Sequence, residues 1–180
     1  GSRYGGLNVF DKKTGVFKTF KAFTYEESLS HNDVLALYKD GNDRLWIGTS
    51  YGLNWMNEQD WKLAEPVFHK INRDDGLPSN TIHAITGTPE GNVWASTNNG
   101  LVYVDPSSRS VRRFQDTDGL QCNEFCDGAV WNDDNGWVFF GGIYGFNYFP
   151  VQNLEGSDAP FNLLLKELRL AGKMQHAFFV

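Results

Sequence analysis

Short runs of alternating apolar and polar positions, each closed by Gly, Asn, Asp or Pro, divide most of this chain into candidate strands. The segment Leu77 to Gln115 shows the pattern in full. Thr81 to Thr86 alternates β-branched and small residues before Pro89-Glu90-Gly91-Asn92 breaks it as a turn. Val93 to Thr97 predicts a second strand, Asn98-Asn99-Gly100 a reversal and Leu101 to Val104 a third. Asp105-Pro106-Ser107-Ser108 then turns into Val111 to Gln115, so four antiparallel strands follow one another. Asn-Gly favours a tight hairpin because both residue types tolerate left-handed backbone, and Asp40-Gly41 and Asn135-Gly136 are read in the same way.

The same unit recurs. Gly-Leu or Gly-Phe stands at Gly6, Gly52, Gly100 and Gly145, at successive intervals of 46, 48 and 45 residues. Helical repeats run near 34 residues and propeller blades in the forties. One unit reads Leu29-Ser30-His31-Asn32-Asp33-Val34, then Leu45-Trp46-Ile47-Gly48-Thr49, then Gly52-Leu53. The next reads Leu77-Pro78-Ser79-Asn80-Thr81-Ile82, then Val93-Trp94-Ala95-Ser96-Thr97, then Gly100-Leu101. A looser third reads Leu120-Gln121-Cys122-Asn123-Glu124-Phe125, then Val138-Phe139-Phe140-Gly141-Gly142, then Gly145-Phe146.

One four-stranded sheet cannot bury both of its faces, whereas radial stacking of such sheets covers them and leaves short, protected edges. The fold expected is therefore all-β, a partial β-propeller of four-stranded antiparallel blades followed by the first strands of a β-sandwich. Trp46, Trp94 and Phe139 are expected to pack blade against blade, with Gly52, Gly100 and Gly145 closing hairpins. Asn32, Asn80 and Asn123 are expected to bond the backbone of their own turns. By this reading residues 1–28 are the outer half of a blade, and 29–75 and 76–118 are complete blades. Residues 119–150 form a last blade without its outer strand, 151–160 a linker, and 161–180 a new unit whose run Leu163 to Leu170 fits helix or strand. Three and a half units do not close a ring of about four to eight blades, so homodimerisation or association through open edges is expected.

Composition fits this picture. The 14 Phe, 6 Trp and 7 Tyr suit pleated surfaces, and 19 Gly suit tight turns. A net charge of −6 gives no footprint for phosphate, so neither a nucleic-acid partner nor contact with an acidic membrane is expected. Cys122 and Cys126 on one strand would lie about 13 Å apart, beyond the roughly 7 Å a disulfide spans; they are expected to be free and buried, and no metal site or cofactor is expected. The opening Gly1-Ser2, without methionine, suggests an excised piece of a longer protein.

The units resemble the two-component regulator propeller repeat, whose pattern runs Leu-Pro-x-Asn-x-Ile, Leu-Trp-Ile-Gly-Thr and Gly-Leu. Leu45 to Thr49 matches residue for residue, while Ser96 replaces the usual Gly. Gly119 to Phe125 with Phe140 to Phe146, Phe149 and Pro150 resembles the last blade of such proteins, and Ala159 to Lys173 is similar to the opening strand of the immunoglobulin-like Tyr-Tyr-Tyr domain that follows it. The resemblance implies the periplasmic sensor region of a hybrid histidine kinase of the kind that controls polysaccharide use in gut Bacteroidetes, with an oligosaccharide as ligand. It carries over no catalytic residue, and His31, His69, His83 and His176 lie in no transmitter motif.

In a radial blade the loops between strands two and three share a face with the loops that enter strand one. Tyr51, Asn98, Asn99, Tyr144 and His31 are the candidate ligand-binding residues there. Aromatic rings stack on sugar faces while amides meet hydroxyls. Two other function classes remain open. A carbohydrate-active enzyme would need two carboxylates about 5–10 Å apart, drawn from Asp74, Asp75, Asp116, Asp118, Asp133 and Asp134. A protein-docking scaffold would bind partners through the propeller face.

Overall fold

The computed structural model describes residues 1–133 and 135–151 together with the strands Leu168–Leu170 and Lys173–Gln175. The described residues are all-β, with two short 3-10 turns at Glu58–Lys62 and Asp116–Asp118 and no α-helix. The chain begins with the two-stranded sheet β1 (Leu7–Asp11) and β2 (Val16–Phe20). Two four-stranded sheets follow: β3 (Val34–Lys39), β4 (Arg44–Thr49), β5 (Gly52–Asn57) and β6 (His69–Ile71), then β7 (Ile82–Gly87), β8 (Val93–Thr97), β9 (Gly100–Asp105) and β10 (Ser110–Phe114). The next sheet has three strands, β11 (Phe125–Asn132), β12 (Trp137–Gly142) and β13 (Gly145–Pro150). A last pair joins β14 (Leu168–Leu170) to β15 (Lys173–Gln175). Every pairing is antiparallel between neighbours in sequence, as the repeat predicts. Of the run Leu163 to Leu170, residues 168–170 are strand; 163–167, the 152–160 part of the expected linker, and residues 161–162, 171–172 and 176–180 lie outside the described residues.

Alternation along β4 explains why the sheets stack. Trp46 points toward the second complete blade and packs with Ile82, Ile85 and Val93, while Ile47 points back and packs with Leu7 and Phe20 of the half-blade. Trp94 repeats the arrangement against Phe125, Val138 and Phe140 of the last blade. Trp46 and Trp94 are 0% and 1% exposed. Phe139 keeps the same register, six residues before Gly145, yet is only half-buried, because no described sheet lies beyond it. The fully buried aromatic of β12 is Phe140, which faces back toward Trp94.

Backbone bonds staple successive sheets. The N–H of Gly6 donates to the Asn32 carbonyl at 2.8 Å, that of Gly52 to Asn80 at 2.7 Å and that of Gly100 to Asn123 at 2.7 Å. Each asparagine side chain also closes its own loop: the Oδ1 atoms of Asn32, Asn80 and Asn123 accept from the backbone N–H of Ala22, Arg73 and Asp116. The recurring Gly and Asn are thus two ends of one interblade contact.

The turn before each central tryptophan differs between blades. Asp40 is buried and accepts hydrogen bonds from the Trp46 indole at 2.9 Å, from Arg44 Nε at 2.7 Å and from the backbone of Asn42 and Arg44. The left-handed residue of this turn is Asp43, not Gly41. In the next blade Thr88 stands in place of Asp40, and the buried Trp94 indole N–H has no acceptor among the described residues. Burial pushes the Asp40 carboxyl up, but the bonds from Trp46, Arg44 and Asn42 outweigh it and hold it below the ordinary carboxylate range. A depressed carboxyl stabilises the fold above its unfolded value near pH 4, and that contribution is lost as pH falls through the lower folded value. Asp40→Asn is expected to cost about 1–3 kcal/mol at neutral pH and much less in acid, read from urea unfolding at several pH values. An equal cost at every pH would contradict this account.

Both cysteines are free, but neither is buried: Cys122 is half-buried and Cys126 exposed. The register of β11 breaks between Phe125 and Val130, and this irregularity turns Cys126 outward.

Candidate functional site at the axial mouth

The first strands β3, β7 and β11 lie side by side at the inner edge of the sheets, and β11 also approaches β3. Regular alternation would carry Ile82, His83 and Ala84 to opposite faces in turn. In β7 the register slips between Ile82 and Ala84, so both of these are buried and His83 is released toward the edge. There His83 Nδ1 bonds Asp127 Oδ1 at 2.5 Å, and Nε2 lies 2.6 Å from Asn98 Oδ1. Arg3 Nη2 donates to Asp127 Oδ2 at 2.8 Å, so residues 124 apart in the sequence meet. A polar chain Arg3, Asp127, His83, Asn98 therefore runs across the mouth from the half-blade to the last blade and back to the second. The hydrogen bond from His83 holds the Asp127 carboxyl below its ordinary range against some burial, and Arg3 adds to the effect.

Around this chain stand the hairpins between second and third strands. Thr49 and Thr97 fix two of them alike: each hydroxyl donates to the following Gly carbonyl, at 3.0 and 2.9 Å, and accepts from the N–H of Tyr51 or Asn99. The loop tips are left outermost, with Tyr51 59% and Tyr144 77% exposed. Neither phenol makes a side-chain hydrogen bond among the described residues. Tyr4, beside the half-blade's Gly5-Gly6, is exposed on the same rim.

The five candidates take different places. Asn98 belongs to the polar chain, whereas Asn99 is turned outward and its Oδ1 accepts from Gln115 Nε2 at 2.9 Å. His31 is held locally, its Nδ1 bonded to Ser50 Oγ at 2.7 Å and to the Asp33 N–H at 3.0 Å. Tyr51 and Tyr144 stand on separate hairpins of the rim. Sequence reasoning omitted Arg3, His83 and Asp127, for which neither the repeat nor any motif gives a signal.

Four of the candidate acids serve their own turns, while Asp74 takes part through its backbone N–H, which donates to Asn72 Oδ1. Asp75, Asp116, Asp118 and Asp133 accept from the backbone N–H of Asn72, Thr117, Gln115 and Trp137 respectively. Asp134 lies outside the described residues. Among the described residues no group of three His, Cys, Asp or Glu is placed to hold a metal ion, and no helix is long and apolar enough to cross a membrane.

The Two component regulator propeller family matches residues 28–51 and 76–99, the loops and first two strands of both complete blades. This chain carries two-component regulator propeller repeats. Their interblade asparagines, Asn32 and Asn80, and both buried tryptophans fall inside the matched segments. Histidine kinase P4 of Formosa agariphila is 27% identical over 79% of the chain. The chain spans only 14% of that kinase's length. Two solved structures from B. thetaiotaomicron share the fold over 84% of the chain, both described as extracellular domains of hybrid two component systems. They are BT4673, with a TM-score of 0.67 at 20% identity, and BT3049, with 0.65 at 23%. The chain covers 21% and 20% of those two proteins. The propeller repeats here thus resemble a part of the sensor region of such a system.

Proposed function

We propose that this chain is a ligand-reading piece of the periplasmic propeller region of a hybrid two-component sensor kinase, that it performs no catalysis itself, and that its axial mouth takes an oligosaccharide. The observation that carries the reading is the pairing of exposed rim tyrosines with a hydrogen-bonded polar chain at one mouth. Tyr51 and Tyr144 offer flat apolar faces for pyranose rings, and Asn98, His83, Asp127 and Arg3 offer donors and acceptors for hydroxyls. The repeats, the kinase relative and the extracellular location of the similar structures support a sensor.

The test is calorimetric titration with neutral, uronic and sulfated oligosaccharides. One class is expected to bind and to be recovered uncleaved. Tyr144→Ala and Tyr51→Ala are each expected to weaken it about tenfold, one ring contact's worth, without moving the melting temperature. Absence of binding across the panel, or cleavage of the bound saccharide, would overturn the reading.

A further inference from the structure

Behind each hairpin that joins second to third strand lies a small inner place, and the three blades fill it in three ways. Three residues frame it: the one after the buried leucine, the last of the second strand, and the one two beyond the hairpin glycine. In the first blade these are Ser30, Thr49 and Asn54, and every side-chain polar atom is used. Asn54 Oδ1 accepts from the Ser30 N–H at 2.9 Å, Asn54 Nδ2 donates to Ser30 Oγ at 2.7 Å, and Ser30 Oγ bonds Thr49 Oγ1 at 2.9 Å. In the second blade they are Pro78, Thr97 and Val102. Pro78 has no N–H to give and Val102 no side-chain acceptor for one, so that pair is apolar without loss.

The last blade has Gln121, Gly142 and Asn147 there, and its polar atoms do not balance. One bond is kept, from the Gln121 N–H to Asn147 Oδ1 at 2.9 Å. Asn147 is 3% exposed, yet its Nδ2 has no hydrogen-bond partner among the described residues, and neither do the buried Gln121 Nε2 and Oε1. A buried amide without partners lowers stability, and the first two blades show two ways in which the same repeat avoids that loss. The Gln121 amide lies against Gly142, where an added methyl group would collide with Nε2. Gly142 thus makes room for the amide and gives up the hydroxyl by which Thr49 and Thr97 fasten the other two hairpins. The hairpin left without this fastening carries Tyr144, the most exposed of the rim tyrosines.

We propose that Gln121 is a specificity-determining residue of the mouth, held in reserve behind the Tyr144 hairpin. Its side chain breaks no hydrogen bond to the described residues on leaving Gly142, so rotation about its own χ angles brings the amide outward without that loss. There Nε2 donates to one hydroxyl and Oε1 accepts from the next, the pairing that a carboxamide offers to two adjacent hydroxyls of a pyranose, while Tyr144 stacks on the ring face. The ligand selected in this way carries a vicinal diol beside its stacked face. This inference rests on the saccharide reading of the mouth.

The test sets affinity against stability. Gln121→Met keeps the length of the side chain and removes its polar atoms. It is expected to weaken binding of the saccharide class found by the calorimetric panel about tenfold or more, and to raise the melting temperature by about 2–4 °C. Gln121→Ala, which cannot overpack, should lose the same affinity. Ser30→Ala, at the matching position of the first blade, should do the reverse, lowering the melting temperature by about 2–8 °C and leaving affinity unchanged. In the natural chain the Gln121 side-chain NH2 signals, identified by their loss in Gln121→Met, are expected to shift on saturation with saccharide. Unchanged affinity in both Gln121 variants would overturn the proposal. A lower melting temperature in Gln121→Met with unshifted NH2 signals would also overturn it, by making the amide a structural group. Should no saccharide of the panel bind, the reading of the mouth falls, and the melting temperatures alone decide for Gln121: a more stable Gln121→Met supports a binding role, and a less stable one overturns it.

Discussion

Trp46→Ala is expected to cost about 3–5 kcal/mol of stability, the range for removing a large aromatic from a packed core. The ring is wholly buried, its centroid lies 6.0 Å from that of Trp55, and Ile82 and Ile85 of the next blade pack in the same cluster. Removing it opens a cavity between blades and takes one of four donors from the buried Asp40 carboxylate. Phe139→Ala is the control. It changes the same register position in a sheet whose outer face no described sheet covers, and is expected to shift stability by less than about 1 kcal/mol. Urea unfolding of the two variants under one condition checks the pair. Equal effects would mean that Trp46 does not owe its importance to the blade beyond it.

Gly100→Ala is expected to cost about 3–4 kcal/mol and to lower the melting temperature by about 6–16 °C. The backbone at Gly100 has φ of 97°, in the left-handed region, and an added Cβ would lie 2.1 Å from the Phe114 carbonyl oxygen across the sheet. That oxygen is backbone in a paired strand and cannot step aside cheaply. Movement of Gly100 would also pull its N–H from the Asn123 carbonyl and loosen the last blade. Gly41→Ala is expected to be nearly neutral, since nothing lies within 4 Å of its Cβ position and its backbone is not left-handed. A thermal melt of each variant, followed by circular dichroism, decides the matter; similar losses would refute the claim that the hairpin glycines are fixed by conformation and close approach.

Strands and blades were legible because their signals are local. Alternation, turn residues and the Gly-Leu step act within a few positions, and the indole that recurs at Trp46 and Trp94 is buried for the same reason in both. What surrounds those indoles was less legible. Asp40 satisfies one, whereas with Thr88 in its place the other finds no acceptor among the described residues, and only the packed turns reveal the difference. The recurring asparagines close their own loops, as their residue type suggests, while the main-chain carbonyl that ties them to the preceding Gly leaves no mark in residue type.

The candidate site divides in the same way. The places of Tyr51 and Tyr144 on the rim were legible because hairpin position follows from the repeat, and their exposure follows from position. His83 escaped because its direction depends on a slipped register in β7, and the matching residue of the first blade is Leu35, so comparison of units gives nothing. Arg3 and Asp127 escaped because they meet only when the half-blade and the last blade converge on the axis. Repeats announce what all units share, whereas this mouth is built from what each unit has alone.

Amide chemical-shift mapping during titration with a bound oligosaccharide tests the central claim most directly. The account requires the largest shifts at Tyr51, Asn98, Asn99, Asp127 and Tyr144, with the saccharide still intact when the titration ends. Shifts concentrated on the opposite turns, around Gly15, Gly41 and Ser107, or release of cleaved sugar, would contradict it.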